Sequence, residues 1–191
     1  MAIIVINSPK YGRKEVLVDD EDFEYLNQFK WSIHKTKKNM YASRTIYLGG
    51  GRKNQKNKKF SMHREIMQTP VGMDCDHTFH NTLDNRKSQL RNCTRTQNLQ
   101  NKTSAVNSTS KYLGVTIHTN KYFKKKTNVF MTKIYWVAQI VVNRKLNRIR
   151  YFPYTPCGEL LAALTYDEAA IKYHGEFANL NFKTKPLQNH G

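Results

Sequence analysis

The chain has 191 residues, with 32 Lys and Arg against 14 Asp and Glu, and its formal net charge is +18 at pH 7. So large a positive excess indicates a polyanionic partner, while 39% hydrophobic and 12% aromatic residues argue against a disordered basic tail. No apolar run approaches the ~18 residues of a membrane span, and three cysteines without a C-x-x-C pair argue against a disulfide framework or a zinc ribbon. We therefore expect a reduced protein that binds nucleic acid and not a membrane.

The N-terminal run at residues 1–6 is too short for a signal peptide and has no basic region. We therefore expect no export, and we expect the protein to act inside the cell, in the cytoplasm.

Six elements are expected in the first seventy residues, where apolar alternation marks strands and polar caps mark helix starts. Strands are predicted at 3–6, 14–18, 31–34 and 40–46, and helices at 19–29 and 61–67. Asp19 and Asp20 would cap the first helix, because negative charge is favourable at a helix N-terminus.

A flexible basic loop is predicted after these strands, with three glycines at 49–51 and then five cations: Arg52, Lys53, Lys56, Lys58 and Lys59. A solvated loop is one interpretation of this segment. The net charge favours the other, in which the loop contacts phosphate.

Acidic residues are rare in the middle of the chain, where residues 25–158 contain only Glu65, Asp74, Asp76 and Asp84. Three of these four lie in one short window, and a carboxylate in so basic a stretch repels phosphate. We therefore expect this window to hold a cation. Turn formation or helix capping is the alternative for Asp74 and Asp84.

Residues 73–101 predict a strand, a polar loop, a second strand and a helix. Cys75 and Cys93 would lie on the two strands as small buried residues. The helix would be capped by a threonine, and it carries three amides: Gln97, Asn98 and Asn101.

This window contains residue types suited to phosphodiester hydrolysis, which needs an activated water and a group that neutralises charge on the phosphate. His77 suits the first task. Asp76 and Asn98 suit the second, because Mg²⁺ binds oxygen ligands and keeps several waters. Adjacent strand residues point to opposite sides unless the backbone turns, and an Asp-His pair with a structural role is the competing interpretation.

The first hundred residues resemble the HNH endonucleases of the phage and intron homing branch. The motif residues that carry the resemblance are Asp76-His77, Asn81, Asp84-Asn85-Arg86, Leu90-Arg91, Thr96-Gln97-Asn98 and Asn101. The preceding stretch also fits, at Val18-Asp19-Asp20-Glu21-Asp22-Phe23, Trp31, Tyr41-Ala42 and Met62-His63-Arg64.

This resemblance implies a ββα-metal fold in which His77 is the general base, while Asp76 and Asn98 hold a divalent metal. Mg²⁺ is the ion implied first, with Mn²⁺ as the alternative. Three amides would support the active site: Asn81, Asn85 and Gln89. Two arginines would contact the DNA: Arg86 and Arg91.

Gln89 departs from the family, which usually places asparagine before the Leu-Arg pair to brace the loop of the catalytic histidine. Glutamine keeps the amide but is one methylene longer, so we expect reduced rather than lost activity. His63 and His80 are further histidines in the region, for which catalytic or metal-binding roles compete with solvated or structural ones.

After a polar linker at 104–110, the pattern predicts strands at 111–118, 135–143 and 148–152. A helix is predicted near 165–174, opened by the capping box Thr165-Tyr-Asp-Glu168. Such a domain packs one face of its sheet and leaves the other face free.

This second half is similar to the Apetala-2/ethylene-response-factor DNA-binding domain over residues 110–182. The matching segments are Tyr112-Leu-Gly-Val115, Trp136-Val-Ala-Gln-Ile140, Glu168-Ala169-Ala170, Tyr173 and Gly175-Glu-Phe-Ala-Asn-Leu-Asn-Phe182. The resemblance implies that a three-stranded sheet lies in the major groove of DNA.

The groove-facing arginines of that family are missing here, at Leu113, Thr116, His118 and Val141, and residues 120–133 lengthen the first hairpin. Three residues remain candidates for base contact, with core packing as the alternative for the tryptophan: His118, Trp136 and Gln139. Four more are candidates for phosphate contact: Arg144, Lys145, Arg148 and Arg150.

The sequence thus predicts an α+β protein with an N-terminal HNH ββα-metal nuclease domain, then a small three-stranded antiparallel sheet with one helix. The predicted divisions are a nuclease domain at 1–103, a linker at 104–110, a DNA-binding domain at 111–182 and a tail at 183–191.

We expect a monomeric, Mg²⁺-dependent endonuclease that nicks double-stranded DNA in a bacterial or phage-infected cell. A catalytically impaired DNA-binding regulator is the alternative, supported only by Gln89. A restriction enzyme would use the same chemistry but would be expected to dimerise. RNA fits the charge equally well, but the sheet and the nuclease motif favour DNA.

Overall fold

A computed structural model describes residues 1–50, 54, 56–104 and 107–182 of the chain, which divides into two units, Met1–Asn98 and Leu99–Gly191. The described residues form a mixed α+β structure with small antiparallel sheets and four α-helices. The division falls before the predicted linker. The predicted tail at 183–191, and residues 51–53 of the predicted basic loop, lie outside the described residues.

The first hairpin confirms the two strands predicted from apolar alternation. β1 (Ala2–Ser8) pairs antiparallel with β2 (Gly12–Val18), with Ile4 opposite Val16. One face is buried because every second residue points the same way, and its four buried side chains are Ile4, Ile6, Val16 and Val18.

Helix α1 (Asp20–Asn27) follows β2, and Asp19 occupies its N-cap position as predicted. The Asp19 side chain makes no capping hydrogen bond and instead accepts one from the Lys87 backbone N–H at 2.8 Å. Three acidic residues in the first turn still suit the positive end of the helix: Asp20, Glu21 and Asp22.

A three-stranded sheet comes next, in the order β3 (Ser32–Lys35), β4 (Met40–Tyr47) and β5 (Asn57–Ser61). β3 and β4 confirm the predicted strands. β5 corrects the prediction of a flexible loop, because Lys58 and Lys59 pair with Ile46 and Thr45. Lysines suit the edge of a sheet, where their charge discourages pairing with another chain.

The short helix α2 (Met62–Ile66) lies where predicted, and a largely buried ion pair ties it to β4. Arg44 donates to Glu65 through Nε at 3.1 Å and through Nη2 at 2.6 Å. Tyr25 Oη also donates to Glu65, at 3.0 Å. Glu65 therefore joins α1, β4 and α2, beside a core that includes Leu26, Trp31 and Met62.

The end of the first unit confirms the predicted order of strand, loop, strand and helix. β6 (Asp74–His77) pairs antiparallel with β7 (Leu90–Cys93), and α3 (Arg95–Gln100) follows. Cys75 and Cys93 lie on the two strands, and Cys93 is fully buried.

The second unit is a three-stranded antiparallel sheet in the order β10 (Lys145–Pro153), β9 (Val129–Val142) and β8 (Val115–Lys124). Helix α4 (Pro156–His174) packs on one face of this sheet. The predicted sheet and single helix are thereby confirmed. No helix among the described residues is long and apolar enough to span a membrane.

The predicted start of the last helix is wrong, since Thr165 lies inside α4. The cap is Thr155, whose Oγ1 accepts from the Gly158 N–H at 3.0 Å, and Pro156 occupies the first turn. Proline at this position loses no helical hydrogen bond. An alanine-rich face then packs on the sheet, with four buried members: Ala162, Ala163, Ala169 and Ala170.

Two features hold the segment before β8 in place within the second unit. Gly114 has a φ of +73°, and a Cβ there would lie 1.8 Å from the Tyr166 ring. Asn181 bonds both backbone groups of Leu113, at 2.7 and 3.0 Å, and is held in turn by Asp167. Ser110 corrects the predicted linker, because it is buried and donates to Glu159 of α4 at 2.6 Å.

Glu65→Ala is expected to destabilise the first unit by about 3 kcal/mol, because it leaves Arg44 unpaired in a largely buried position. Tyr25→Phe is the matched control; it removes a single hydrogen bond to the same carboxylate and should cost about 1 kcal/mol. Urea denaturation in a Trp136→Phe background, followed by Trp31 fluorescence, measures both. Equal costs for the two variants would contradict a role for the ion pair.

Candidate active site and nucleic-acid interface

Strand β6 separates the candidate catalytic residues onto two faces. Successive strand residues alternate in direction, so Asp74 and Asp76 share one face while Cys75 and His77 share the other. Asp76 and His77 are therefore neighbours in sequence but contact different surroundings.

His77 is held by a buried asparagine on the loop between the two strands. Its Nε2 lies 3.0 Å from Asn85 Oδ1, and Asn85 is fully buried. Asn85 Nδ2 donates to Met62 Sδ at 3.3 Å, so the amide oxygen faces the imidazole and accepts its proton. This arrangement puts the hydrogen on Nε2 and makes Nδ1 the basic nitrogen of His77.

The surroundings of His77 favour its neutral form. Burial lowers the pKa of His77, and the hydrogen bond that His77 donates to Asn85, together with the nearby charges of Asp76 and Asp84, opposes that shift. A neutral imidazole beside groups that stabilise its protonated form is suited to accept a proton during a reaction.

The predicted role of Gln89 as the brace of His77 is corrected by the structure. The Gln89 side chain donates to Ser88 Oγ at 3.3 Å, and only its backbone carbonyl reaches the histidine loop, by accepting from Thr78 N–H at 2.9 Å. Asn85 holds the imidazole instead, so the extra methylene of Gln89 does not alter that contact.

The other supporting residues of the loop form turns. Asn81 Oδ1 accepts from the Leu83 N–H at 3.3 Å, and the Asn81 carbonyl accepts from the Asp84 N–H. Arg86 donates to both Asp84 oxygens, at 2.8 and 2.6 Å, and this contact lowers the pKa of Asp84. Asp84 thus serves the turn, and Arg86, predicted to contact DNA, is engaged with it.

A second histidine lies against the first. The ring centroids of His63 and His77 are 5.0 Å apart, and Tyr41 contacts both rings. Burial lowers the pKa of His63 to about 3, helped by the charges of His77 and Arg64. His63 is therefore neutral at physiological pH. The other candidate histidine, His80, lies in the loop after β6 and has a φ of +64°.

The two carboxylates on one face of β6 bond to two arginines and one asparagine from β7 and α3. Asp76 Oδ2 accepts from Arg91 Nε at 3.1 Å and from Nη2 at 2.9 Å, across the strand pair. Asp74 Oδ2 accepts from Asn98 Nδ2 at 2.8 Å and from Arg95 at 3.2 Å. The hydrogen bond from Asn98 is the main cause of a lowered pKa of Asp74.

Asn98 therefore contacts Asp74. From the sequence, Asp74 was a candidate only for binding a cation or for forming a turn or helix cap. The available signal was its spacing, since Asp74 lies two residues before Asp76 on one strand and so shares its face. Because the Asn98 amide nitrogen donates to Asp74, its oxygen is turned the other way.

An open cavity of about 260 Å³ lies beside this pair in the first unit. Its lining includes Asp74 and Asn98 together with His63, and also His34 of β3, Tyr41 of β4 and Thr36 of the turn between these strands. The described residues contain no group of three or more His, Cys, Asp or Glu side chains arranged to hold a metal. The predicted donors, one carboxylate and one amide, are oxygen ligands of the kind that Mg²⁺ accepts beside water.

In the second unit, strand pairing divides the predicted DNA contacts between the two faces of the sheet. His118 pairs with Tyr135, and Gln139 pairs with Arg148, on the face away from α4. Tyr151 joins them, with its ring 5.4 Å from His118. We call these five residues the open face.

The remaining predicted contacts lie elsewhere in the second unit. Trp136 is 7% exposed and packs with Phe152 in the core against α4, so the core-packing alternative is the correct one. Arg150 is exposed on that same side of the sheet, with its guanidinium 5.6 Å from the Phe152 ring. Arg144 and Lys145 are exposed at the turn between β9 and β10.

Comparisons of the chain with protein-family models, with curated proteins and with solved structures found no match.

The low pKa of His63 gives a testable pH dependence. Unfolded histidine titrates near pH 6.5, and folded His63 near pH 3, so the unfolded state binds one more proton between these values. The free energy of unfolding should therefore fall by about 1.4 kcal/mol per pH unit as pH drops through this window.

His63→Phe keeps a ring against Tyr41 and His77 but cannot titrate, so its unfolding free energy should fall less steeply with pH. Urea denaturation in a Trp136→Phe background leaves Trp31 as the reporter of the first unit. Parallel pH curves for the two proteins would contradict a neutral buried His63.

Proposed function

We propose that this protein is a metal-dependent endonuclease that nicks double-stranded DNA, with β6, β7 and α3 as an HNH ββα-metal centre. The observation that carries the proposal is the buried contact between Asn85 and His77, which presents a neutral histidine with Nδ1 as its basic nitrogen. The net charge of +18 supports a polyanionic substrate.

His77 is the general base in this proposal and takes a proton from the attacking water at Nδ1. Asn85 keeps the opposite nitrogen protonated and fixes the plane of the ring. The imidazolium that forms is stabilised by the nearby carboxylates Asp76 and Asp84, whose charges raise the pKa of His77. Positioned bases of this kind contribute about 10²- to 10⁴-fold in rate.

Asp76 and Asn98 would hold the divalent metal, with Mg²⁺ first and Mn²⁺ as the alternative. Such an ion supplies Lewis-acid stabilisation of the charge that develops on the phosphate oxygens. Asp74 is a positioning residue, because it holds the Asn98 amide nitrogen and so presents the oxygen as the ligand end. Arg91 and Arg95 lie on the same side, paired with Asp76 and Asp74.

The second unit would bind the target DNA as an Apetala-2-like domain. Its open face combines hydrogen-bonding groups of His118 and Gln139 with Arg148 and two tyrosines, and antiparallel strands can lie in the major groove. Arg144 and Lys145 would contact phosphate from the neighbouring turn. With one HNH centre in each chain, the protein would act as a monomer in the cytoplasm of a bacterial or phage-infected cell.

The alternative is a catalytically impaired DNA-binding protein, and it rests on Gln89. The Gln89 side chain bonds Ser88 rather than the loop that holds His77, while Asn85 contacts the imidazole itself.

His77→Ala is expected to slow the nicking of supercoiled plasmid by about 10²- to 10⁴-fold in Mg²⁺ or Mn²⁺, because it removes the base. His174→Ala is the matched control: it removes a histidine of α4, in the second unit, that bonds the Val141 carbonyl. It should nick like the wild type.

The proposal fails if the wild-type protein shifts plasmid mobility without breaking a strand in either metal. It also fails if His77→Ala and His174→Ala nick at equal rates.

Asp74→Ala is expected to lower the nicking rate about 10- to 100-fold and to raise the Mg²⁺ concentration required, because the Asn98 amide loses its partner. Asp74→Asn keeps an acceptor oxygen for Asn98 Nδ2 and should restore most of the metal response. Arg95→Ala, which removes the other partner of Asp74, should have little effect. An unchanged Mg²⁺ response in Asp74→Ala would rule out the positioning role.

A further inference from the structure

The hairpin between β8 and β9 extends well beyond the third strand of its sheet. Pairing continues from Thr119–Ile134 to Lys124–Val129, whereas β10 ends opposite Tyr135. We call residues 119–134 the arm. Its six residue pairs, at ~3.4 Å each, reach about 20 Å past the sheet.

The arm carries contacts of its own that keep it paired without a third strand. Phe123 and Phe130 lie opposite each other with ring centroids 5.1 Å apart. Lys133 Nζ lies 5.5 Å from the centroid of the Tyr122 ring. At the tip, Thr127 N–H donates to the Lys124 carbonyl at 3.1 Å. Cross-strand pairs of this kind matter because an isolated two-stranded hairpin is only marginally stable.

The arm exposes both apolar and basic side chains. Phe130 is 76% exposed and Phe123 is 45% exposed, although burial of an aromatic side chain is strongly favourable. Five lysines accompany them, all on the arm: Lys121, Lys124, Lys125, Lys126 and Lys133. An exposed apolar patch with such a rim is typical of a surface that meets a partner.

We propose that the arm is a second DNA-contact element, which binds the duplex beside the segment covered by the open face; this rests on the proposed function. The charge fits DNA, because the sequence contains no acidic residue between Asp84 and Glu159, so the arm repels basic partners and copies of its own domain. Strand alternation also keeps Asn120, Tyr122 and Lys133 on the same side as His118 and Tyr135.

The arm therefore continues the open face along the DNA. The lysines contact phosphates, whereas Phe130 lies on the opposite side of the arm by the same alternation. Charge neutralisation by the lysines releases counterions and makes affinity depend on salt.

The test is fluorescence anisotropy of the full chain with labelled random-sequence duplexes, in EDTA and over a range of salt concentrations. Replacing Lys124, Lys125 and Lys126 together by Gln should lower the slope of log affinity against log salt by up to about 2.7, since each phosphate contact contributes ~0.9. The same three positions replaced by Arg keep the charge and should retain the wild-type slope. Phe130→Ser, on the opposite side of the arm, should leave both the affinity and the slope unchanged.

Duplex length tests the position of the arm. β10 has nine residues and spans ~30 Å, so a duplex of about 12 base pairs, ~40 Å long at 3.4 Å per pair, holds the sheet but not the sheet and arm together. The Gln variant should therefore lose affinity on a duplex of about 40 base pairs and match the wild type on the short one. A loss of equal size on both duplexes would overturn a separate contact site.

Arg148→Gln, on the open face, distinguishes failure of this inference from failure of the proposed function. If Arg148→Gln weakens binding while the Gln variant of the arm matches the wild type, the arm claim is overturned and DNA binding by the sheet stands. If the wild type binds no duplex at all, both fail. Binding of the arm to anionic phospholipid vesicles, without an effect on DNA, would assign it to a membrane surface instead.

Discussion

The contact between Asn85 Oδ1 and His77 Nε2 is the interaction on which the proposed chemistry depends. A neutral histidine buried without a partner would have neither a fixed tautomer nor a fixed ring orientation. Here a fully buried amide, fixed in turn by Met62, sets both the tautomer and the plane of the ring. The loop between β6 and β7 exists in this form because Asn81, Asp84 and Arg86 close its turns with their own side chains.

Beside this contact, the alternation of side chains along β6 places His77 and the two carboxylates on opposite faces of the strand. The buried face carries neutral histidines, and the other face carries carboxylates with arginines and Asn98. Burial lowers the pKa of His77, while the hydrogen bonds from Asn98 and Arg95 lower the pKa of Asp74. The same alternation along β9 gives the sheet of the second unit one buried and one exposed face. Trp136 points into the core, and the residue pairs Gln139–Arg148 and His118–Tyr135 point outward.

Much of the fold follows from local sequence signals. The alternation of Ile4 and Ile6, and of Val16 and Val18, predicts the first hairpin because one face must be buried. β5 could not be predicted this way, since Asn57, Lys58 and Lys59 have weak strand preference and are extended only because β4 pairs with them. The start of α4 was predictable from Thr155 and Pro156, whose capping pattern is stronger than that of Thr165.

The candidate site was only partly predictable. Spacing along β6 gives the shared face of Asp74 and Asp76, but the choice between Asn85 and Gln89 as the partner of His77 depends on the path of the intervening loop. Likewise, the approach of His63 to His77 joins α2 to β6 through tertiary packing, which no local pattern encodes.

The pH dependence of kcat/KM for nicking tests the central claim most directly, because kcat/KM reports the ionisation of the base in the free protein. With His77 as the base, the logarithm of the rate should rise with a slope of one and level off below the ordinary histidine pKa of 6.5, since burial lowers the pKa of His77. A rate that does not change with pH below 6.5, or no strand breakage at any pH, would contradict the proposed function.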